Sequence, residues 1–359
     1  MYSSALYLLE ANLRFPLGAS FDTIAEATMG RMGRIVNGAS VAFLCYILIY
    51  AYISGGSSAI AYSLNSFDGI SVSRSFASLI FAGVLSGIVV AGAGAVDRVT
   101  TALIGGMIIT FLGSVSGLVS NVQAAYLFPE LSHSELLPYA FGAVSVLVVS
   151  FGMQSAIPSM TKYLEKDGVR IRQAILIGSL LTLAFYALWQ FSVLGNLSRD
   201  QFPAIMASGG NIGDIISALE ANGLRTNMLM MLQLFSNMAV ASSFLGVALA
   251  LYDYVEDLFG FKNDLPGKIK TSLITFLPPT VLGMFLPNGF ITAIVYAGLV
   301  AVFYCLLTPV VMAYIGRKQG ATGYAVPGGL PRMALVFGFG ILAMILAALD
   351  IIGALPAFG

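Results

Sequence analysis

Nine long apolar stretches dominate the chain, at 36–62, 75–96, 99–120, 137–163, 173–195, 227–255, 270–286, 289–315 and 333–355. A helix needs about 20 apolar residues to cross the hydrocarbon core of a bilayer, and each stretch is close to that length. The runs are continuously apolar and do not alternate, so they predict spanning helices rather than the strands of a closed barrel. A tenth stretch, 1–13, rises only about 20 Å as a helix and is too short to span. Glycines inside the stretches, as in Gly105-Gly106 and Gly113-x-x-x-Gly117, predict close helix packing. Between the stretches, Gly209-Gly210-Asn211 predicts a turn, followed by a short amphipathic helix near 212–219.

Composition agrees with the pattern. Of 359 residues, 58% are hydrophobic and 9% charged, against about 25% charged in soluble domains. Seventeen basic and seventeen acidic residues cancel, which leaves no footprint for nucleic acid. Cys45 and Cys305 lie in apolar runs and read as small hydrophobes, not as a disulfide pair. No nucleotide loop, catalytic triad or His/Cys metal cluster occurs, and no soluble domain fits between the stretches, so neither an enzyme nor a cofactor is expected.

Charge then orients the chain. With the 14–35 loop on the cytoplasmic side, fourteen basic residues fall inside: Arg14, Arg31, Arg34, Arg98, Lys162, Lys166, Arg170, Arg172, Lys262, Lys268, Lys270, Arg317, Lys318 and Arg332. Only Arg74, Arg199 and Arg225 fall outside. The opposite orientation reverses this bias. The short first stretch then runs from outside to inside, and the simplest expectation is that a preceding helix and the start of this one are missing from the chain.

Several constellations could carry function. In the fourth stretch, Ser150-Phe151-Gly152-Met153-Gln154 precedes Pro158. Gly weakens a helix and Pro lacks an N–H, so backbone polar groups are freed at membrane depth. Such groups are tolerated only against protein or a watery cavity, and broken helices of this kind bind substrate in secondary transporters. A mere kink against a neighbour would look the same. Gln233, Ser236, Asn237, Ser242 and Ser243 make a polar stripe in 227–255, suited either to substrate or cation contact or to interhelical bonding. Tyr46 and Tyr50, with Tyr52 beyond them, share a face at i, i+4 and could meet a carboxylate or an aromatic ring, or simply pack. Glu10, Asp253 and Asp350 read as solvated acids near the membrane faces. Glu130, His133 and Glu135 fall in an outer loop, where a proton-relay or metal role is not expected. A polar but uncharged interior suits a zwitterionic solute.

These residues resemble the hydroxy/aromatic amino acid permease family, within the amino acid-polyamine-organocation superfamily, and its tryptophan- and tyrosine-type members in particular. The resemblance rests on Leu9-Glu10-Ala11-Asn12, the Tyr46–Ser54 run, Ser150-Phe151-Gly152 with Pro158-Ser159, the long run from Phe235 through Gly246 into Leu251-Tyr252-Asp253-Tyr254, and Leu277-Pro278-Pro279. It covers essentially the whole chain and leans toward the tryptophan type. It implies an all-α integral membrane protein with a leucine-transporter-like bundle of inverted repeats, lacking helix 1 and part of helix 2. The first repeat would be truncated at 1–120, the second would occupy 137–315, and 333–355 would be an extra helix. It further implies uptake of an aromatic amino acid by proton symport in a bacterial inner membrane, sodium being the less favoured ion. Substrate contacts would fall on Tyr46, Tyr50, Ser150, Phe151, Gly152, Gln154, Ser236 and Asn237, and a cation position on Ser242 and Ser243. Family members often carry His two residues after Ser-Phe-Gly. Gln154 stands there in this chain and cannot titrate, so no proton-relay role carries over to it. Uptake of another neutral amino acid such as serine or threonine, and a truncated chain that does not transport, remain the rival readings.

Overall fold

The computed structural model describes residues 1–17, 19, 21–65, 71–128, 133–320 and 323–356, with the side chains of residues 133–135 outside that set. Glu130 and the side chains of His133 and Glu135 thus lie outside the described residues. In chain order the helices are α1 (Tyr2–Asn12), α2 (Phe21–Asn65), α3 (Arg74–Val90), α4 (Ala93–Ser120), α5 (Ala124–Leu127), α6 (His133–Ser150), α7 (Ile157–Tyr163) and α8 (Gly168–Leu194). They continue as α9 (Phe202–Ala207), α10 (Ile212–Ala221), α11 (Thr226–Phe259), α12 (Leu265–Phe285), α13 (Phe290–Ala301), α14 (Thr308–Lys318) and α15 (Gly329–Ile351). A π-turn, Val302–Leu307, joins α13 to α14. No strand occurs among the described residues. Among the described residues, seven helical segments are long and apolar enough to cross a membrane.

Every predicted stretch is helical, but three boundaries move. The 14–35 loop is largely helix, because α2 starts at Phe21 and passes a non-helical Gly30. The second stretch stops at Val90, since Gly92 adopts a positive φ of 107° and starts α4 just after it. The fourth is divided between α6 and α7.

The chain forms two compact units. The first comprises Met1–Leu44, Ser132–Tyr186 and Val295–Ala357. Its hub is α1, whose residues Ser4 to Asn12 are all buried. This helix packs on α14, on α7 and on the π-turn. A π-turn shifts the backbone register and disturbs the i→i−4 ladder, and the Cys305 carbonyl there accepts the hydroxyl of Ser4. Glu10 is fully buried among arginines. The expectation of a solvated acid fails because its partners, Arg14 and Arg317, close over it.

The second unit comprises Cys45–Leu131, Ala187–Ile294 and Phe358–Gly359. Its main pairing is α4 on α11. Glycines permit that approach: a Cβ on Gly106 would strike Met238, and one on Gly117 would strike Met228. Gly113 lies in ordinary contact range of Met231, whereas Gly105 faces open space. Helix α12 packs on α3 and α11. The predicted turn at Gly209-Gly210 is present, with φ of 119° and 62°. Both glycines need that freedom, because Asn288 and Ile291 also leave no room for a side chain there. The predicted amphipathic helix is α10, which packs on α11.

Candidate functional site

In the first unit, the α6–α7 break supplies the candidate. Regular bonding ends with Phe151 N–H on the Leu147 carbonyl at 3.1 Å, and Gly152 N–H then reaches only to Val149, at 3.0 Å. A 3₁₀ turn, Gln154–Ala156, follows. Pro158 stands in the first turn of α7, where its missing N–H costs nothing. Gly152 sits where a Cβ would lie 3.1 Å from the Val149 carbonyl and 3.7 Å from Cys305 Sγ.

Two groups at the break are satisfied within the chain. The Ser150 hydroxyl donates to the Val146 carbonyl at 2.8 Å. Tyr186 Oη donates to the Ser150 carbonyl at 2.9 Å, and its ring meets Phe151 edge-on with centroids 5.3 Å apart. Gln154 differs. It is fully buried, and neither Oε1 nor Nε2 has a hydrogen-bond partner among the described residues. A buried, unsatisfied carboxamide is uncommon and is destabilising. Tyr186 was not foreseen, because nothing in its apolar helix marks it out.

The remaining candidates lie in the second unit. Tyr46 Oη donates to the Ile274 carbonyl at 2.9 Å. That carbonyl would ordinarily bond the N–H of residue 278, but Pro278 has none. Tyr50 Oη donates to the Leu286 carbonyl at 2.9 Å, and the Ser54 hydroxyl to that of Pro287 at 2.6 Å, both just past the end of α12. Gly289 leaves space that the Tyr50 hydroxyl fills. The two tyrosines thus share a face, as their spacing predicts, and both hydroxyls satisfy backbone carbonyls.

Part of the α11 stripe is also engaged. Gln233 Nε2 donates to the Ala59 carbonyl at 3.0 Å, to Ser63 Oγ at 3.2 Å and to Asn237 Oδ1 at 3.3 Å. The Ser236 hydroxyl donates to Leu232 at 2.8 Å, and that of Ser242 to Ala239 at 3.0 Å. Ser243 is exposed. Ser150, Phe151, Gly152 and Gln154 therefore gather at one break in the first unit, and Gln233 draws Asn237 to α2 in the second.

An all-helical chain with membrane-length helices, one of them interrupted at a Gly/Pro break, has the make-up of a secondary transporter. The fold is shared with a solved one: a crystal structure of MhsT in complex with L-phenylalanine aligns with a TM-score of 0.55 at 13% identity, over 97% of this chain and 88% of the other. The architecture is leucine-transporter-like. Residues 1–347 match the tryptophan/tyrosine permease family, and the chain belongs to it. A tryptophan-specific transport protein of Pseudomonas aeruginosa is 44% identical over 97% of this chain and 85% of its own length. A protein of the same description from Haemophilus influenzae is 41% identical, over 96% and 84%. A tyrosine permease of Enterobacter agglomerans is 35% identical, over 100% and 88%. The chain is thus a multi-pass membrane protein of a transport family, not an enzyme.

Proposed function

We propose that this protein imports aromatic amino acids, tryptophan in preference, across a bacterial inner membrane by proton symport with alternating access. The observation that carries the reading is its similarity over nearly the full chain to tryptophan-specific transport proteins, at 44% and 41% identity, against 35% for a tyrosine permease. The broken α6–α7 segment adds a physical reason. Helix ends meeting at membrane depth offer backbone dipoles to the charged end of an amino acid. Ser150, Phe151, Gly152 and Gln154 form that wall in this reading. Tyr46, Tyr50, Ser236 and Asn237 are further candidate substrate contacts, and Ser242 and Ser243 a candidate cation position. The chain would be organised as a first repeat at 1–120, an inverted second repeat at 137–315 and an added helix at 333–355.

The test is uptake of labelled tryptophan into vesicles holding the full chain, with and without a proton gradient, competed by unlabelled amino acids. Gradient-driven uptake that tryptophan inhibits best, tyrosine and phenylalanine less, and serine and threonine hardly at all is the expected result. Uptake that follows sodium and ignores the proton gradient would refute proton coupling. Inhibition led by serine or threonine would refute the aromatic substrate.

A further inference from the structure

Glu10 is the one acid classed as fully buried among the described residues. A buried ionisable group in a membrane protein is by default a functional candidate. Its Oε1 accepts from Arg14 Nη2 at 2.7 Å and from Arg317 Nε at 2.7 Å. Its Oε2 accepts from Arg317 Nη2 at 2.6 Å and from the Val326 N–H at 2.7 Å. Every neighbour in contact is a donor, so the group is used wholly as an acceptor. The Arg317 fork is bidentate, the geometry in which guanidinium and carboxylate fit best.

Four chain segments meet at this point: the end of α1, the turn after it, the end of α14 and the stretch before α15. The region is built to fit. Gly316 lets Arg14 approach, because a Cβ there would press on Arg14 Nη1, and Gly168 leaves room for Leu13 and Tyr324. Burial lowers the pKa of Arg14, and the Glu10 carboxylate pulls it back. Arg317 also stands over the Tyr7 ring, 5.9 Å from its centroid.

Helix α1 also carries α7, the half-helix beyond the break, and it holds the π-turn through Ser4 and Cys305. Displacing α1 from α14 therefore means breaking the Glu10 fork and exposing Cys305, which is 3% exposed. We infer that Glu10 is a positioning residue for transport: a clasp fastening α1, with its attached half-helix α7, to α14, which must loosen during the cycle. The inference rests on the transport reading above. It goes further in assigning a conformational role to an acid that touches no part of the proposed substrate site.

The native thiol reports on the clasp. Maleimide labelling of Cys305 is measured in a Cys45→Ala background, beside the KM and Vmax of tryptophan uptake. In the unmodified clasp, Cys305 is expected to react slowly at rest and faster during turnover. Glu10→Gln keeps the shape and removes the charge. It is expected to raise resting reactivity about tenfold and to lower Vmax about tenfold with KM within about threefold, the pattern of a changed step rather than a changed site. Arg317→Lys, which keeps charge but loses the fork, is expected to move both readouts the same way by less, and it serves if Glu10→Gln does not fold. Normal labelling and normal kinetics in either variant would overturn the inference. So would a loss expressed in KM alone, which would place Glu10 at the substrate. Absence of uptake by the unmodified chain would instead count against the transport reading.

Discussion

At the scale of single residues, the burial cost of the Gln154 carboxamide is not offset by any hydrogen bond among the described residues. The side chain is fully buried, and neither amide atom has a partner there. An unsatisfied buried polar group costs about 1–3 kcal/mol. Gln154→Met keeps the volume and removes both orphaned atoms. It is expected to raise the thermal unfolding midpoint of the purified protein, by an amount equivalent to about 1–3 kcal/mol, while lowering tryptophan uptake. A stabilised variant with full uptake would show that the carboxamide has no part in transport. The position of Gln154 beside a break is legible from Gly152 and Pro158, but its lack of partners is not, since that depends on what folds around it. Glu10 shows the same limit in reverse. Sequence places it near a chain turn and suggests water, whereas its partners Arg317 and Val326 are more than 300 positions away. Tyr46 and Tyr50 are partly legible: period 3.6 puts them on one face, but only the fold reveals that the Ile274 carbonyl, freed by Pro278, and the Leu286 carbonyl past the end of α12 accept from them.

At the scale of elements, the break between α6 and α7 is a local property of the sequence, which is why it could be read there. Gly152 keeps φ in the ordinary region, so space rather than backbone freedom decides what it tolerates. The nearest atom to a new Cβ is the Val149 carbonyl at 3.1 Å, and a backbone atom yields only if the end of α6 moves with it. Gly152→Ala is therefore expected to displace the break by a few tenths of an ångström. It should lower uptake about ten- to a hundredfold, as misplacement of a positioned group does, with the unfolding midpoint changed by no more than a few degrees. Equal uptake in the two proteins would mean that the break is a kink without a binding role. Other element boundaries were harder to read. Nothing apolar or polar marks the end of α3; a positive φ at Gly92 sets it. The start of α2 at Phe21 lies in a stretch too polar for a span, because a helix can extend past the hydrocarbon without being apolar.

For the whole molecule, the apolar stretches are legible because a bilayer imposes both length and continuous hydrophobicity on a helix. Helices α3 and α12 are the informative exceptions. The first has only 17 residues, and the second carries Lys268, Lys270, Pro278 and Pro279. Their apolar cores nevertheless mark both as spans in the sequence, and they pack on each other within the second unit. Family membership makes multi-pass insertion plain, but the side on which each loop lies rests on charge: fourteen basic residues to one face and three to the other. Positive residues are retained on the cytoplasmic side during insertion, so two positions of opposite assignment, Lys166 half-buried and Arg225 exposed, test the whole arrangement. In a background lacking Cys45 and Cys305, Lys166→Cys is expected to react with an impermeant maleimide only when the reagent reaches the cytoplasmic face. Arg225→Cys is expected to react only from outside. The reverse pattern would overturn the orientation, and with it the direction in which the proposed uptake runs. Labelling of both positions from one side would mean that 173–195, the one assigned span between them, does not cross.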